Sequence, residues 1–339
     1  MKQKKVQLRD IAERVGVSTA TVSYVLNNRP MANRISREVA DKIRATAKEL
    51  NYHPNQIAKS LKMQRTHTLG LIVADIANPF WAQISRIIED AAKRMGYTVI
   101  FGSSDEDPGK AQDLIYTLLN RQVDGLIVAA VEGSEAQLRA VAQKGIPLVL
   151  IDRYFPDELF QYVAIDNYSA AFDAVQLMID RGRKRVGIVA FQTELMHLQE
   201  RNRGYFEAMD RAGLPVQQHW IARVDLNNIK EGTAAAVEKM LRTDPPAEAI
   251  FFTTNLLALH GLHYLKEQGV EIPAQVAVSA FDEADFYSFF PVSITHIRQP
   301  LDTLGQKAVE ALLLQIENKN EPAIRANYPA TLVQGKSSG

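Results

Sequence analysis

Residues 8–27, LRDIAERVGVSTATVSYVLN, carry two helical patterns separated by one glycine. Leu8, Ile11, Ala12 and Val15 recur at the spacing of one helix face, and the pattern stops at Gly16, the residue best suited to a left-handed cap. Ser18 can cap a second helix, on which Ala20 or Thr21, then Val22, Val25 and Leu26, continue the periodicity. Small Ala12, turn-forming Gly16 and branched Val22 fall where a helix-turn-helix needs close packing, a tight reversal and a plug between helices. By spacing alone an ordinary helical hairpin fits as well. The second helix turns Thr19, Ala20, Ser23 and Tyr24 outward, mostly short polar groups of the kind that meet phosphates and base edges. A third helix over residues 36–50, with Val39, Ile43, Ala47 and Leu50 in one stripe, completes a three-helix core.

The next stretch, NYHPNQIAKSLKMQRT at 51–66, places Pro54 near the start of a short helix over 55–62. Ile57, Ala58 and Leu61 are its only aliphatic residues, so it orders only when something packs against it. Charge separates this head from the rest. Residues 1–65 hold 14 Lys plus Arg against 5 Asp plus Glu, whereas the remainder holds 25 against 34, so the overall balance of zero conceals a basic head on an acidic body. Clustered cations are what a polyanion requires, although a solvated basic face is an equally ordinary use of them.

From Thr68 onward, apolar runs alternate with amphipathic stretches. LGLIVAD (69–75), YTVIFGS (97–103), GLIVAA (125–130) and PLVLID (147–152) form one series; RVGIVAF (185–191), AIFFTT (249–254) and VAVSAF (276–281) form another. Continuous apolar strands between helices predict parallel sheets covered on both faces, with a ligand where loops converge at the strands' carboxyl ends. Those ends supply Asp75, Asn78, Phe80 and Trp81, then Asp152 and Arg153, Asp166, Asn255 and Asp282. Aromatic faces beside carboxylates, an amide and an arginine make a plausible sugar site.

The chain resembles the lactose/galactose-repressor (LacI/GalR) family of bacterial transcription regulators over residues 7 to about 335. The family's V-S-x-x-T-V-S-R-x-L-N run appears at 17–27 and its Y-x-P-N-x-x-A-R-x-L hinge at 52–61. The resemblance implies an α/β protein. A three-helix helix-turn-helix head (1–52) and a hinge helix with linker (53–66) precede a body like a periplasmic sugar-binding protein. That body has two doubly wound parallel-sheet lobes (67–163 with 293–325, and 164–292) joined by three crossovers. It further implies that Thr19, Ala20 and Tyr24 read bases and that Ala58 and Leu61 enter the minor groove, where an apolar wedge opens a base step. Ser18, Thr21, Ser23, Asn27, Asn55 and Lys59 complete the expected DNA-binding set. The plainer reading of Leu61 is burial against its own domain.

For the effector, the resemblance implies Phe80, Trp81, Asp166, Arg201 (in R-x-x-G-Y), Asn255 and Asp282, to which the strand-end reading adds Arg153. Each implied residue has a structural alternative: Phe80 or Trp81 in the core, Asp166 or Asp282 as a helix cap, Arg201 in a surface ion pair. Four positions depart from the family pattern. Tyr24 and Lys59 stand where arginines are usual, so the operator sequence does not carry over; Leu256 replaces the Asp of N-D, and Gly335 replaces the Arg of L-V-x-R-x-S.

The expected molecule is a homodimeric repressor of a palindromic operator, controlled by a small carbohydrate and needing no cofactor. A purine or nucleoside effector is the alternative within this class, and a sugar-binding protein or enzyme without DNA function lies outside it. With 46% hydrophobic and 23% charged residues the composition is that of a globular protein. With no cysteine, thiolate sites are excluded. No segment approaches about 18 uninterrupted apolar residues, and no export signal follows the N-terminal lysines, so a cytoplasmic, membrane-free protein is expected. No nucleotide-binding glycine motif, zinc motif or nucleophile elbow is present, and no catalytic pair can be assigned. His260 and His263 lie one turn apart with no carboxylate or cysteine expected nearby, so a satisfied or exposed surface role is expected and no metal site.

Overall fold

The computed structural model describes residues 6–27, 30–52, 65–317 and 323–339, in two compact units divided after Thr66. The hinge residues Asn55, Ala58, Lys59 and Leu61 lie outside the described residues.

In the first unit, α1 (Leu8–Val15), α2 (Thr19–Leu26) and α3 (Arg37–Glu49) enclose Ile11, Ala12, Val22, Val25, Ala40, Ile43 and Ala47. Gly16 takes φ 82° and its N–H donates to the Ala12 carbonyl at 2.9 Å, which ends α1 as its sequence requires. The Ser18 hydroxyl accepts from the Thr21 N–H at 3.1 Å and starts α2; Ser36 does the same for α3 through the Val39 N–H.

The second unit contains two six-stranded sheets. The first has strand order β11-β5-β4-β3-β1-β2, from β1 (Thr68–Val73), β2 (Thr98–Ser103), β3 (Gly125–Val128), β4 (Leu148–Ile151), β5 (Gln161–Ile165) and β11 (Arg325–Tyr328). All its pairings are parallel. Its helices are α4 (Pro79–Arg94), α5 (Pro108–Asn120), α6 (Glu135–Gln143) and α11 (Leu301–Ile316). The second sheet repeats the order as β12-β10-β9-β8-β6-β7, from β6 (Val186–Phe191), β7 (Ile221–Val224), β8 (Ala249–Phe252), β9 (Ala277–Phe281), β10 (Thr295–Arg298) and β12 (Thr331–Val333); only β12 is antiparallel. Its helices are α7 (Asn167–Asp180), α8 (Met196–Arg211), α9 (Ile229–Arg242) and α10 (Asn255–Glu267).

The seven apolar runs are β1–β4, β6, β8 and β9. The lobe boundaries differ from expectation at residues 164–165, expected in the second lobe but forming the end of β5 in the first sheet, and at residues 293–298. Residues 293–298, expected in the first lobe, contribute β10 to the second sheet through parallel pairing with β9. Residues 331–333 return to that sheet as β12. The sequence THIR in β10 alternates polar and apolar groups, so no continuous apolar run marks it. The crossovers follow β5, β10 and β11. A second difference is β2: although apolar in sequence it is an edge strand, and Ile100 and Phe101 are exposed, Phe101 by 59%.

Two glycines report close backbone approach. A Cβ on Gly335 would stand 2.3 Å from the Ser293 carbonyl oxygen, which explains why an arginine cannot occupy this position in the present packing. A Cβ on Gly204 would lie 2.4 Å from the Tyr168 carbonyl oxygen and 2.8 Å from the Phe172 nitrogen, where α8 crosses α7. Backbone cannot yield as a flexible side chain does. Gly204→Ala is therefore expected to destabilise the protein by about 1–3 kcal/mol, read as a lower midpoint in thermal unfolding; an unchanged midpoint would contradict this helix contact.

Candidate functional site

Strands β1, β2 and β4 of the first sheet and β6 to β10 of the second point their carboxyl ends toward a cavity of about 530 Å³ within the second unit. The β1–α4 turn supplies Asn78, Phe80 and Trp81, the β2–α5 loop supplies Glu106, and the end of β4 supplies Asp152 and Arg153. From the other lobe come Phe191 and Thr193 after β6, His197 and Arg201 on α8, Asn255 at the start of α10, Asp282 after β9 and Gln299 in the crossover after β10.

Arg201, 2% exposed, is the most heavily engaged of these. Its Nε donates to Asn167 Oδ1 at 2.8 Å and one terminal nitrogen donates to the Thr253 carbonyl at 2.8 Å; that nitrogen lies 3.8 Å from Asp282 Oδ2. The guanidinium stacks on Phe281, 3.5 Å from the ring centroid. Burial lowers its pKa from the usual arginine value, opposed by Asp282 and Asp152. Asp282 also accepts from Gln299 Nε2 at 2.6 Å.

On the facing lobe Arg153 forms a two-pronged ion pair with Glu106, both bonds 2.7 Å, and lies 5.3 Å from the Trp81 ring centroid. Asp152 is almost fully buried, and burial raises its carboxyl to about 6, against the lowering effect of Arg201 and Arg153. Asp152 and Asp282 both hold left-handed backbone, at φ 64° and 69°, a conformation aspartate tolerates better than most residues and one that often marks a functional loop. His197 sits well below the ordinary histidine range because it is buried, with Arg153 and Arg201 adding to the effect.

The lobes also touch directly. Asn255 Nδ2 donates to Asn78 Oδ1 at 3.1 Å, and the Thr193 hydroxyl donates to Glu132 Oε2 at 2.5 Å.

Of the residues expected to bind effector, Phe80, Trp81, Arg153, Arg201, Asn255 and Asp282 line the cavity. Asp166 does not: its Oδ1 caps α7 by accepting from the Ser169 N–H at 3.0 Å, as the crossover out of β5 turns directly into that helix. Trp81 is only 2% exposed, set edge-on to Phe80, and belongs to the core as much as to the cavity wall. Glu106, His197 and Gln299 were missed. Glu106 obeys the strand-end rule after β2, and His197 precedes Arg201 by one helical turn, so both signals were present; nothing in the sequence marked Gln299. His263 pairs with Glu267 at 3.1 Å, a carboxylate the sequence reading overlooked, on an exposed face of α10.

In the first unit, Ser18, Thr19, Ala20 and Asn27 are exposed along α2, while Thr21, Ser23 and Tyr24 are half-buried. Ser18 and Thr21 share a hydroxyl bond of 2.8 Å, and Asn27 Nδ2 donates to the Ser23 carbonyl at 2.8 Å, so part of this polar surface is held in place before any contact.

Among the described residues no helix is long and apolar enough to cross a membrane. Residues 66–334 match the family described as periplasmic binding proteins and sugar binding domain of the LacI family, and residues 7–55 match bacterial regulatory proteins, lacI family. Catabolite control protein A of Priestia megaterium is 32% identical over 315 residues, 93% of each chain. The solved complex of the transcriptional regulator CelR with cellobiose is 25% identical, with a TM-score of 0.73 over 98% of this chain and all of that one. The lac repressor dimer bound to operator and the anti-inducer ONPF shares the fold, with a TM-score of 0.86 at 22% identity over 99% of each chain. The chain belongs to the lacI family of bacterial regulatory proteins: it is a DNA-binding transcriptional regulator with a small-molecule-binding body, and not an enzyme.

Proposed function

We propose that this protein is a homodimeric repressor of a palindromic operator, and that a small sugar bound between the lobes of its body lowers its operator affinity. The observation that carries the sugar reading is the convergence of Asp152, Arg201, Asn255 and Asp282 with the apolar faces of Phe80 and Phe191 around one cavity. Polar groups hold hydroxyls while apolar faces cover sugar C–H surfaces. The match to a sugar-binding family and the cellobiose complex of CelR support it. A stacked purine is less well served, since Trp81 lies beneath Arg153 and offers little open face.

One head reads only a short half-site, and two related by a twofold axis are needed for useful affinity. The exposed apolar residues Ile76, Ile100 and Phe101 at the edge of the first sheet support pairing of two bodies there. A sugar that bonds to both walls would change how the lobes meet at Asn78–Asn255 and Glu132–Thr193, and through the paired first lobes the distance between hinges. When the hinge segments cannot meet they do not form helix on DNA, and the operator is released.

Four measurements test this. With a palindromic site selected from random DNA, Leu61→Gly should bind at least about tenfold more weakly than wild type, a loss near 1.4 kcal/mol; equal binding would contradict the hinge wedge. Wild-type affinity for the same site should fall about 10³-fold from 50 to 200 mM salt. Arg201→Ala should cost about 2–5 kcal/mol of sugar affinity while operator binding without sugar persists; full induction in that variant would remove Arg201 from the site.

The fourth measurement is pH dependence. Asp152 is faced by Arg153, Arg201, Asp282 and Glu106, and its raised pKa near 6 makes it the group that titrates. A hydroxyl donated to its carboxylate is favoured above that pH and lost as pH falls through it. Sugar affinity should therefore be about tenfold weaker at pH 5 than at pH 8, and the dependence should vanish in Asp152→Asn.

A further inference from the structure

We propose that the cleft takes only uncharged, polyhydroxylated sugars, and that the Glu106–Arg153 ion pair is the device that turns away their phosphate esters and acids. The inference rests on the sugar reading above and narrows it to one chemical class.

Charge is the first support. Six carboxylates line the cavity, from Asp75, Asp105, Glu106, Asp107, Asp152 and Asp282, against the guanidiniums of Arg153 and Arg201. Both guanidiniums are already engaged by groups of the protein. Arg153 has its fork occupied by both oxygens of Glu106. Arg201 donates to Asn167 and the Thr253 carbonyl and stands beside Asp282, a carboxylate that an anion would have to approach. An incoming phosphate would have to displace Glu106 or settle among carboxylates, and like charges at such separations in a partly buried site cost several kcal/mol.

The unsatisfied atoms are the second support. Among the described residues, the buried atoms Asp152 Oδ1, Gln299 Oε1, His197 Nδ1 and Arg153 Nε make no hydrogen bond, and all four residues line the cavity. Two are oxygens that can only accept, while the one obligate donor, Arg153 Nε, already faces Asp152 Oδ2 at 3.8 Å. Burying acceptors without partners is costly, so the occupant should bring donors. Sugar hydroxyls donate; the oxygens of a fully ionised phosphate or carboxylate do not.

The test is isothermal titration of the full-length protein with matched sets: glucose, glucose 6-phosphate and glucuronate; ribose and ribose 5-phosphate; cellobiose and cellobionate. The expected result is that every binder is neutral and that its phosphate ester or acid binds at least about a hundredfold more weakly, a difference near 2.7 kcal/mol. An ester or acid that binds as tightly as its parent overturns the proposal and leaves the sugar reading standing. A panel in which no sugar binds, charged or neutral, overturns the sugar reading and this proposal with it. Glu106→Gln provides the second arm, with unchanged circular dichroism showing that it folds. Freeing the Arg153 fork should raise affinity for glucose 6-phosphate at least about tenfold over wild type; no gain overturns the role given to Glu106.

Discussion

The guanidinium of Arg201 is the interaction around which the body is organised. A buried cation is tolerated only when its donors are met and a counter-charge is near, and each requirement ties Arg201 to a different element: Asn167 on α7, the Thr253 carbonyl at the end of β8, Phe281 and Asp282 at the end of β9. Gly204 one turn further along α8 lets that helix approach α7 closely enough for the first of these bonds. The motif R-x-x-G-Y is therefore a packing device and a ligand device at once. Its tyrosine completes the arrangement by donating from its buried hydroxyl to the Val186 carbonyl on β6, at 2.7 Å.

Duplication of one sheet topology in both lobes gives the cleft its chemistry. β4 and β9 hold equivalent places in the two strand orders, and each is followed by an aspartate in left-handed conformation, Asp152 and Asp282. Their neighbours differ. Asp282 has Gln299 and Arg201 close by, whereas Asp152 keeps one oxygen without a partner and its carboxyl is raised by burial. Two equivalent backbone positions thus present one engaged carboxylate and one open to a donor. The direct bonds between lobes, Asn78 with Asn255 and Glu132 with Thr193, make the cleft a place where a small ligand can alter how two rigid sheets meet.

Much of the effector site was legible because parallel sheets put function at the carboxyl ends of strands, and strands with both faces buried announce themselves as apolar runs. That rule reached Arg153, Asn255 and Asp282. It also selected Asp166, which the structure uses to cap α7, because an aspartate after a strand serves equally well to begin the next helix. The cleft's other members depended on contacts between segments far apart in sequence. Gln299 meets Asp282 only because β10 joins the second sheet, and the mixed sequence of β10 concealed that membership.

By itself the sequence determined the three helices of the head, with their Gly16 stop and Ser18 start, seven of the strands, and the basic head on an acidic body, since all of these follow from local periodicity, capping and charge count. Tertiary structure alone decided which lobe received β10 and β12, how Glu106 occupies Arg153, and which buried oxygens lack a donor. Those are matters of distance between chain segments more than forty residues apart in several cases, and no local pattern encodes them.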